Sequence, residues 1–434
     1  MTLYTQFQQT YSRSRPYLLL AGYLCLVASA FLSPLTISGT DAAILAASVF
    51  CLLSGKLFIE FKLIRTHPIT LSILILLAIV FAGMFWSIAS WHDRWGAFHK
   101  YLKLGYFILI LPLCTERRWR EHAISAFLLT ITVTVALSYL TKYTPLHLGK
   151  TGSPQFIFHS HIETSYFVAF STYVLVQRAL YGQHYRWLCW LLAAIFTFHE
   201  FFINDGRTGW MVYFGLMILF FMQQALAHLD READQDQYTQ VALRSLLFGI
   251  IAILLLGILI YNLSASFHNR VNSLLPNLLP SHHSQQINAK GHALHKPDLR
   301  ISFFKYSLVL TREHPIMGMG TASFQATYKK TPVIPGWGTL NNPHNEYLLI
   351  LVQGGLVGLG ALLYFFYTQW YASFRLTDER HIAQALTLSA MISCSFNAFI
   401  YTSSTGHFYV LFLGLLFAQY KPAKNKVNLS SFFK

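Results

Sequence analysis

The sequence predicts an all-α integral membrane protein with about twelve transmembrane helices and one long loop. Of its 434 residues, 54% are hydrophobic and only 11% are charged. An average soluble domain has about 25% charged residues. Apolar runs of about 20 residues, the length that crosses the hydrocarbon core of a bilayer, recur along the chain. One long polar connection, residues 264–343, interrupts them.

Twelve apolar runs are predicted to span the membrane. They are residues 17–35, 41–60, 69–90, 100–114, 122–141, 160–180, 185–204, 207–226, 244–263, 345–371, 384–402 and 405–420. Arg13 and Arg15 precede the first run as they would in a signal peptide, but no small-residue cleavage site follows, so we interpret it as a span. The cysteines all lie in apolar runs without a CxxC pair and are predicted to pack as small apolar residues.

The basic residues predict the orientation, because Lys and Arg favour the cytoplasmic side. With twelve spans both termini share a side, and most Lys and Arg residues fall on that side. We therefore expect cytoplasmic termini and three regions: residues 1–263 as the first nine spans, 264–343 as a periplasmic loop, and 344–434 as the last three spans and a cytoplasmic tail. The net charge of +15 then reflects topology and attraction to membrane lipids and phosphate, and the chain has no nucleic-acid-binding module.

The long loop contains a predicted helix over residues 300–313, which Pro315 ends. Ile301, Phe304 and Leu308 share one face of it, which is typical of an amphipathic helix at a membrane interface. Short helices are thus expected within the loop.

Arg207 in NDGRTGW is the first candidate site residue, because a charge at the end of a span is costly without a partner. It is either an interfacial anchor, paired with Asp205, or an anion-binding group. A guanidinium offers a bidentate fork that matches phosphate oxygens.

Arg300 and His344 are the second and third candidates. Arg300 starts the predicted loop helix, which leads towards HPIMGMGTASF, where glycines permit a tight turn. Without this context, the favoured interpretation of Arg300 is an ordinary solvated arginine. His344 is predicted at the outer surface, followed by Asn345 and Glu346, and histidine suits proton transfer near neutral pH. The alternative for His344 is a helix-start residue that bonds to the backbone.

Other signals are weaker. His161 enters the sixth span from the outer side, where it either lines a cavity or caps the helix. The loop histidines are irregularly spaced and no cysteine joins them, so we expect no metal. These loop histidines are His282, His283, His292 and His295.

The order of these motifs resembles the O-antigen ligase superfamily, which also holds O-antigen polymerases and protein O-oligosaccharyltransferases. GRTGW opens a span, a long outer loop carries an Arg-headed helix and HPIMGMGTASF, and PHNEYLLILVQGGLVGLG follows. The match is strongest over residues 200–365, and the earlier spans agree only in number and hydrophobicity.

The resemblance implies a GT-C-like membrane fold, with the large periplasmic loop between the ninth and tenth spans. It implies transfer of a glycan from undecaprenyl diphosphate to an acceptor, lipid A-core in the ligases, at the periplasmic face of the bacterial inner membrane. Neither cofactor nor metal is expected. By motif match, Arg207 and Arg300 bind the diphosphate and His344 is the general base; Asp205, His161, Asn345 and Glu346 are possible accessory residues.

Two classes of alternative remain. Within the superfamily they are a polymerase or a protein O-oligosaccharyltransferase; the latter often resemble longer proteins, so the short tail here favours a ligase. Outside it, a secondary transporter or lipid flippase fits the span number equally well. Transporters usually carry charges at mid-membrane or broken helices, whereas here polar candidates cluster at the outer face.

Overall fold

A computed structural model of the chain describes residues 3–149, 153–182, 185–229, 235–278, 299–331 and 340–421, which form helices and connecting turns without any β-strand. The α-helices are α1 (Leu3–Leu32), α2 (Ile37–Leu53), α3 (Lys56–Ile59), α4 (Phe61–Thr66), α5 (Pro68–Ala82), α6 (Trp91–Leu102), α7 (Tyr106–Ile110), α8 (Arg117–Tyr143), α9 (His161–Tyr181), α10 (Arg186–Phe202), α11 (Arg207–Leu229), α12 (Gln235–Leu263), α13 (Ala265–Leu278), α14 (Leu299–Glu313), α15 (Ser323–Lys330), α16 (Glu346–Ser373), α17 (Arg380–Phe396) and α18 (Ser403–Phe417). The predicted all-α class is confirmed.

Several of these helices have the length and composition of membrane spans. Among the described residues, α1, α8, α11, α12 and α16 are long and apolar enough to cross a bilayer, and α2, α5 and α18 are apolar but shorter. The chain is therefore a multi-pass membrane protein, while the number twelve stays a prediction.

The predicted fourth span is not one continuous helix. Within residues 100–114, α6 ends at Leu102, a 3-10 turn follows, and α7 ends at Ile110. Pro112 accounts for the second break, because proline has no N–H to donate to the carbonyl one turn earlier.

The core of the bundle is built around α18. Residues Ser404–Phe417 are buried along the whole helix. The rings of Phe408 and Phe412 lie 4.4 Å apart and pack against aromatic rings of α8 and α9, such as Phe127 and Phe170. A helix that is apolar on all sides belongs in the interior of a bundle.

Helix α16 is broken at Gly355, whose φ of 62° is left-handed. The broken turn pairs with the backbone of the segment 315–320. Leu356 N–H donates to the Pro315 carbonyl at 2.8 Å, and Gly320 N–H donates to the Gln353 carbonyl at 2.9 Å. Irregular backbone at membrane depth persists where other protein groups satisfy it, and this segment supplies those groups.

Helix α14 confirms the helix predicted over residues 300–313, and it packs alongside α16. Phe303, Ser307 and Leu310 form its buried face. Ile301 and Leu308 of the predicted interfacial face are exposed on the other side of the helix, so the bundle does not cover that face. The rotation of α14 follows from its packing on α16, which the sequence pattern does not contain.

Candidate functional site at one end of the bundle

Hydrogen bonds join the starts of several helices at one end of the bundle. Ser165, the fifth residue of α9, donates to the Gly206 carbonyl at 2.9 Å, next to the start of α11. The Ser404 hydroxyl, at the start of α18, donates to the Glu163 carboxylate in α9. These contacts bring the starts of α9, α11 and α18 together, and we call this the site end.

The start of α16 belongs to the same end. The Glu346 carboxylate accepts hydrogen bonds from the N–H groups of Ile400 and Tyr401, at 3.0 and 3.1 Å, in the connection between α17 and α18. Since α18 starts beside α9, and α9 beside α11, the structure brings Arg207 and His344 to one end of the molecule, although 137 positions separate them in the chain.

His344 lies immediately before α16 in a strained backbone conformation. Its φ of 54° is left-handed, which is uncommon for a residue with a Cβ. Its N–H donates to the side chain of Asn342 at 2.9 Å, and its ring centroid lies 6.2 Å from that of Phe303 in α14. Strain of this kind persists only where the surroundings fix the residue, and such positions are common at functional sites.

The electrostatics of His344 favour its neutral form. Burial lowers the pKa of His344 below its ordinary value, and the positive charge of Arg300 lowers it further. A hydrogen bond with the side chain of Asn397 opposes both effects. A neutral imidazole is the form that accepts a proton, and the structure places this imidazole near the positive charge of Arg300.

Asn345 and Glu346 fix the start of α16. The Asn345 side chain accepts from Leu348 N–H at 2.9 Å as the helix cap, and donates to the Ser395 carbonyl at 2.9 Å. Glu346 is fully buried and also accepts from the Tyr101 hydroxyl at 2.6 Å. Its carboxylate therefore holds the start of α16 against α6 and the α17–α18 connection, which favours a structural role over proton transfer.

A buried lysine accompanies this carboxylate. Lys103 donates to the carbonyls of Tyr401 and Thr402 at 3.2 and 2.8 Å, and Lys100 lies 4.1 Å above the ring of Tyr401. Sequence reasoning did not single out Tyr101, Lys103 or Asn397 as site residues. The signal available for Lys103 was a cation inside a predicted span, which is costly and often functional.

Arg207 is the first residue of α11 and is half-buried. Asp205 accepts from the Gln155 amide at 2.5 Å and from the Ser266 hydroxyl, so it ties the turn before α11 to two neighbouring segments. Gly206 packs so closely against α9 that an added Cβ would lie 2.7 Å from the His161 carbonyl. This packing fixes the turn from which the guanidinium extends.

Arg300 is the second residue of α14 and is half-buried, and its charge lowers the pKa of His344. His161 is half-buried at the start of α9, where its ring lies 5.2 Å from that of Phe156. Two residues on, Glu163 forms a capping box with Ser160.

No group of three or more metal-ligating side chains occurs among the described residues. His282, His283, His292 and His295 lie outside the described ranges. Within the described residues, the site offers Arg300 beside the imidazole of His344, and Arg207 at the start of α11 at the same end of the bundle.

Comparison with known families identifies the segment that carries these residues. Residues 189–363 match the family model described as O-antigen ligase. No curated protein matches the chain. The matched segment contains Arg207, Arg300 and His344 together with α14 and the broken part of α16, and this match supports the O-antigen ligase superfamily.

Proposed function

We propose that this protein is a glycosyltransferase that moves O-antigen glycan from undecaprenyl diphosphate to lipid A-core. The reaction takes place at the periplasmic face of the bacterial inner membrane, and the site end faces the periplasm. The observation that carries the proposal is the neutral, half-buried His344 beside the Arg300 charge, at the end of the bundle where Arg207 opens α11.

The proposed reaction is a single displacement with inversion. The acceptor hydroxyl oxygen attacks the anomeric carbon, the bond from that carbon to the diphosphate oxygen breaks, and the hydroxyl proton passes to Nδ1 or Nε2 of His344. Negative charge grows on the leaving diphosphate, where Arg207 and Arg300 stabilise it with bidentate hydrogen bonds. The acceptor and His344 lie on the opposite side of the anomeric carbon from the diphosphate.

A transporter is the second candidate, because the break of α16 at Gly355 is a feature that transporters often show. The backbone groups freed by the break are engaged by the segment 315–320. They are therefore not available to coordinate a transported ion, and the glycosyltransferase is the better-supported proposal.

The lipopolysaccharide profile of a deletion strain tests the proposal. Loss of the O-antigen ladder with accumulation of carrier-linked glycan is expected. Cores that carry a single repeat would instead indicate a polymerase, and unchanged lipopolysaccharide with glycan lost from a protein would indicate a protein O-oligosaccharyltransferase. Purified protein should transfer glycan between purified donor and acceptor in detergent; transport without transfer in vesicles would overturn the proposal.

A further inference from the structure

A groove lies at the opposite end of the bundle from His344, between α11, α16 and α17. It encloses about 440 Å³. Most of its lining is apolar, including Ile218 and Met222 of α11, Trp370 of α16 and Leu388 of α17. Ile218 and Met222 are about half exposed, so the groove opens towards the surrounding lipid.

The groove is as long as one leaflet of a bilayer. Helices α11 and α17 run antiparallel, with Gly215 against Ile392 at one end of the groove and Gln223 bonded to Gln384 at 2.8 Å near the other. Arg380 lies twelve residues before Ile392 on α17, which is about 18 Å at 1.5 Å per residue. Half of the hydrocarbon core is about 15 Å. One extended acyl chain therefore fits along the groove.

The end of the groove at Arg380 carries uncompensated positive charge. The Arg380 guanidinium lies 4.8 Å from the Phe374 ring, and its buried Nε has no hydrogen-bond partner among the described residues. The two neighbouring acids are engaged elsewhere: Glu379 pairs with Arg120 at 3.0 Å, and Asp378 pairs with Arg117 at 3.2 Å.

No acidic side chain of the described residues lies within 4.0 Å of Arg380. His381 adds a second nitrogen-bearing side chain beside it. Burying a cation without a neighbouring anion costs free energy, and a bound anionic ligand would remove that cost.

We propose that this groove binds an anionic phospholipid, with its phosphodiester at Arg380 and His381 and one acyl chain along α11 and α17. Basic pockets between transmembrane helices are suited to anionic headgroups. The apolar lining of the groove is suited to an acyl chain of the lipid. The site is separate from the proposed glycosyl-transfer chemistry, since α16 separates it from His344 by the length of a span.

Native mass spectrometry of the purified chain in detergent tests the proposal, with phosphatidylglycerol and phosphatidylethanolamine of identical acyl chains. Arg380→Gln should weaken phosphatidylglycerol binding about tenfold or more, the usual worth of a charge-assisted hydrogen bond. Arg375→Gln is the matched control, because Arg375 lies at the same end but bonds to Tyr371 outside the groove. Equal losses in both variants, or no preference for the anionic lipid, would overturn the proposal.

A second measurement locates the acyl chain and does not depend on the Arg380 variant folding. Phosphatidylglycerol with a diazirine near the end of its acyl chain should label α11 and α17 around Gly215 and Ile392, and Leu388→Trp should abolish that label by filling the groove. Displacement by inorganic phosphate would indicate a free-anion site. Stronger displacement by undecaprenyl phosphate than by phosphatidylglycerol would indicate a polyprenyl site. Either result would contradict the assignment.

Discussion

Two ionisable side chains two residues apart, His344 and Glu346, have opposite surroundings at the site end. Three donors bond to the buried Glu346 carboxylate: the Tyr101 hydroxyl and the N–H groups of Ile400 and Tyr401. A base that gives up such bonds to take a proton loses their stabilisation. His344 is half-buried, and the pKa of its imidazole is lowered by burial and by Arg300. Proton transfer is therefore expected at His344.

We predict that His344→Ala leaves the protein folded and lowers the turnover of glycan transfer by roughly 10²–10⁴-fold, the usual contribution of general acid–base catalysis. Glu346→Gln should instead lower the free energy of unfolding by about 1–3 kcal/mol, because it weakens charge-assisted hydrogen bonds, and it should retain more activity than His344→Ala. Transfer assays and thermal unfolding of both variants check this. Near-normal turnover of His344→Ala with an inactive, folded Glu346→Gln would assign the base to Glu346.

The pH dependence of transfer follows from the same contacts. If His344 is the base, activity falls as pH drops through its pKa, which lies below the ordinary value of about 6.5. The Asn397 hydrogen bond favours the protonated form, so Asn397→Ala should lower the pKa of His344 and move the acidic limb to lower pH. Arg300→Gln removes a positive charge and should move it to higher pH.

Profiles of kcat/KM against pH for both variants measure these shifts. Limbs that stay in place, or that move in the same direction in both variants, would contradict the assignment of the limb to His344.

Arginine is expected to be specific at the proposed diphosphate site. Arg300→Lys should weaken donor use roughly tenfold or more, because an ammonium cannot replace a bidentate fork. Arg312→Lys is the matched control, since Arg312 lies exposed at the other end of the same helix, α14. Donor titrations of purified variants provide the measurement. Full activity of Arg300→Lys would remove the main support for phosphate binding there.

At the scale of elements, the break in α16 determines how the segment 315–320 is held. A Cβ at Gly355 would lie 2.2 Å from the Ile316 carbonyl oxygen, and the left-handed φ excludes an unstrained substitution. Gly360, five residues later in the same helix, has no neighbour among the described residues within 4 Å of such a Cβ. Gly355 therefore permits the break in α16, whereas Gly360 only lowers the stability of the helix.

We predict that Gly355→Ala lowers the free energy of unfolding by at least about 1–3 kcal/mol, from backbone strain and steric overlap. Gly360→Ala should raise it by up to about 1 kcal/mol, because alanine is the better helix former. Thermal or denaturant unfolding in detergent compares the two. Equal effects would indicate that the break is not a fixed feature of the fold.

At the scale of the whole molecule, the starts of α9, α11, α16 and α18 share one end, so the orientation of any one of them fixes the side on which the site lies. The Lys and Arg distribution predicts that this end faces the periplasm and that both termini are cytoplasmic. The proposed function requires this orientation, because its donor and acceptor meet at the periplasmic face.

Cysteine labelling of intact cells tests the orientation. In a background without native cysteines, Ser284→Cys in the long loop should react with a membrane-impermeant maleimide, and Ser430→Cys near the C-terminus should react only after lysis. Both serines lie outside the described residues, so the substitutions disturb no contact named above. Labelling of Ser430→Cys from outside with Ser284→Cys protected would reverse the topology.

The sequence by itself determined the all-α class, the membrane character and the positions of most apolar helices, because hydropathy and helix-breaking residues act locally. It placed helix starts at or next to Arg207 and Arg300 and just after His344, and the motif order indicated the superfamily. The buried face of α14 and the interrupted fourth span were not predicted, since local periodicity does not determine which face a neighbouring helix covers.

Only the tertiary structure decided which distant residues surround His344. Tyr101 bonds to Glu346 from 245 positions away in the chain, and Asn397 reaches His344 from the end of another helix. The break at Gly355 depends likewise on the segment 315–320 that pairs with it. Such contacts depend on the depth and rotation of packed helices, which no single segment of sequence encodes.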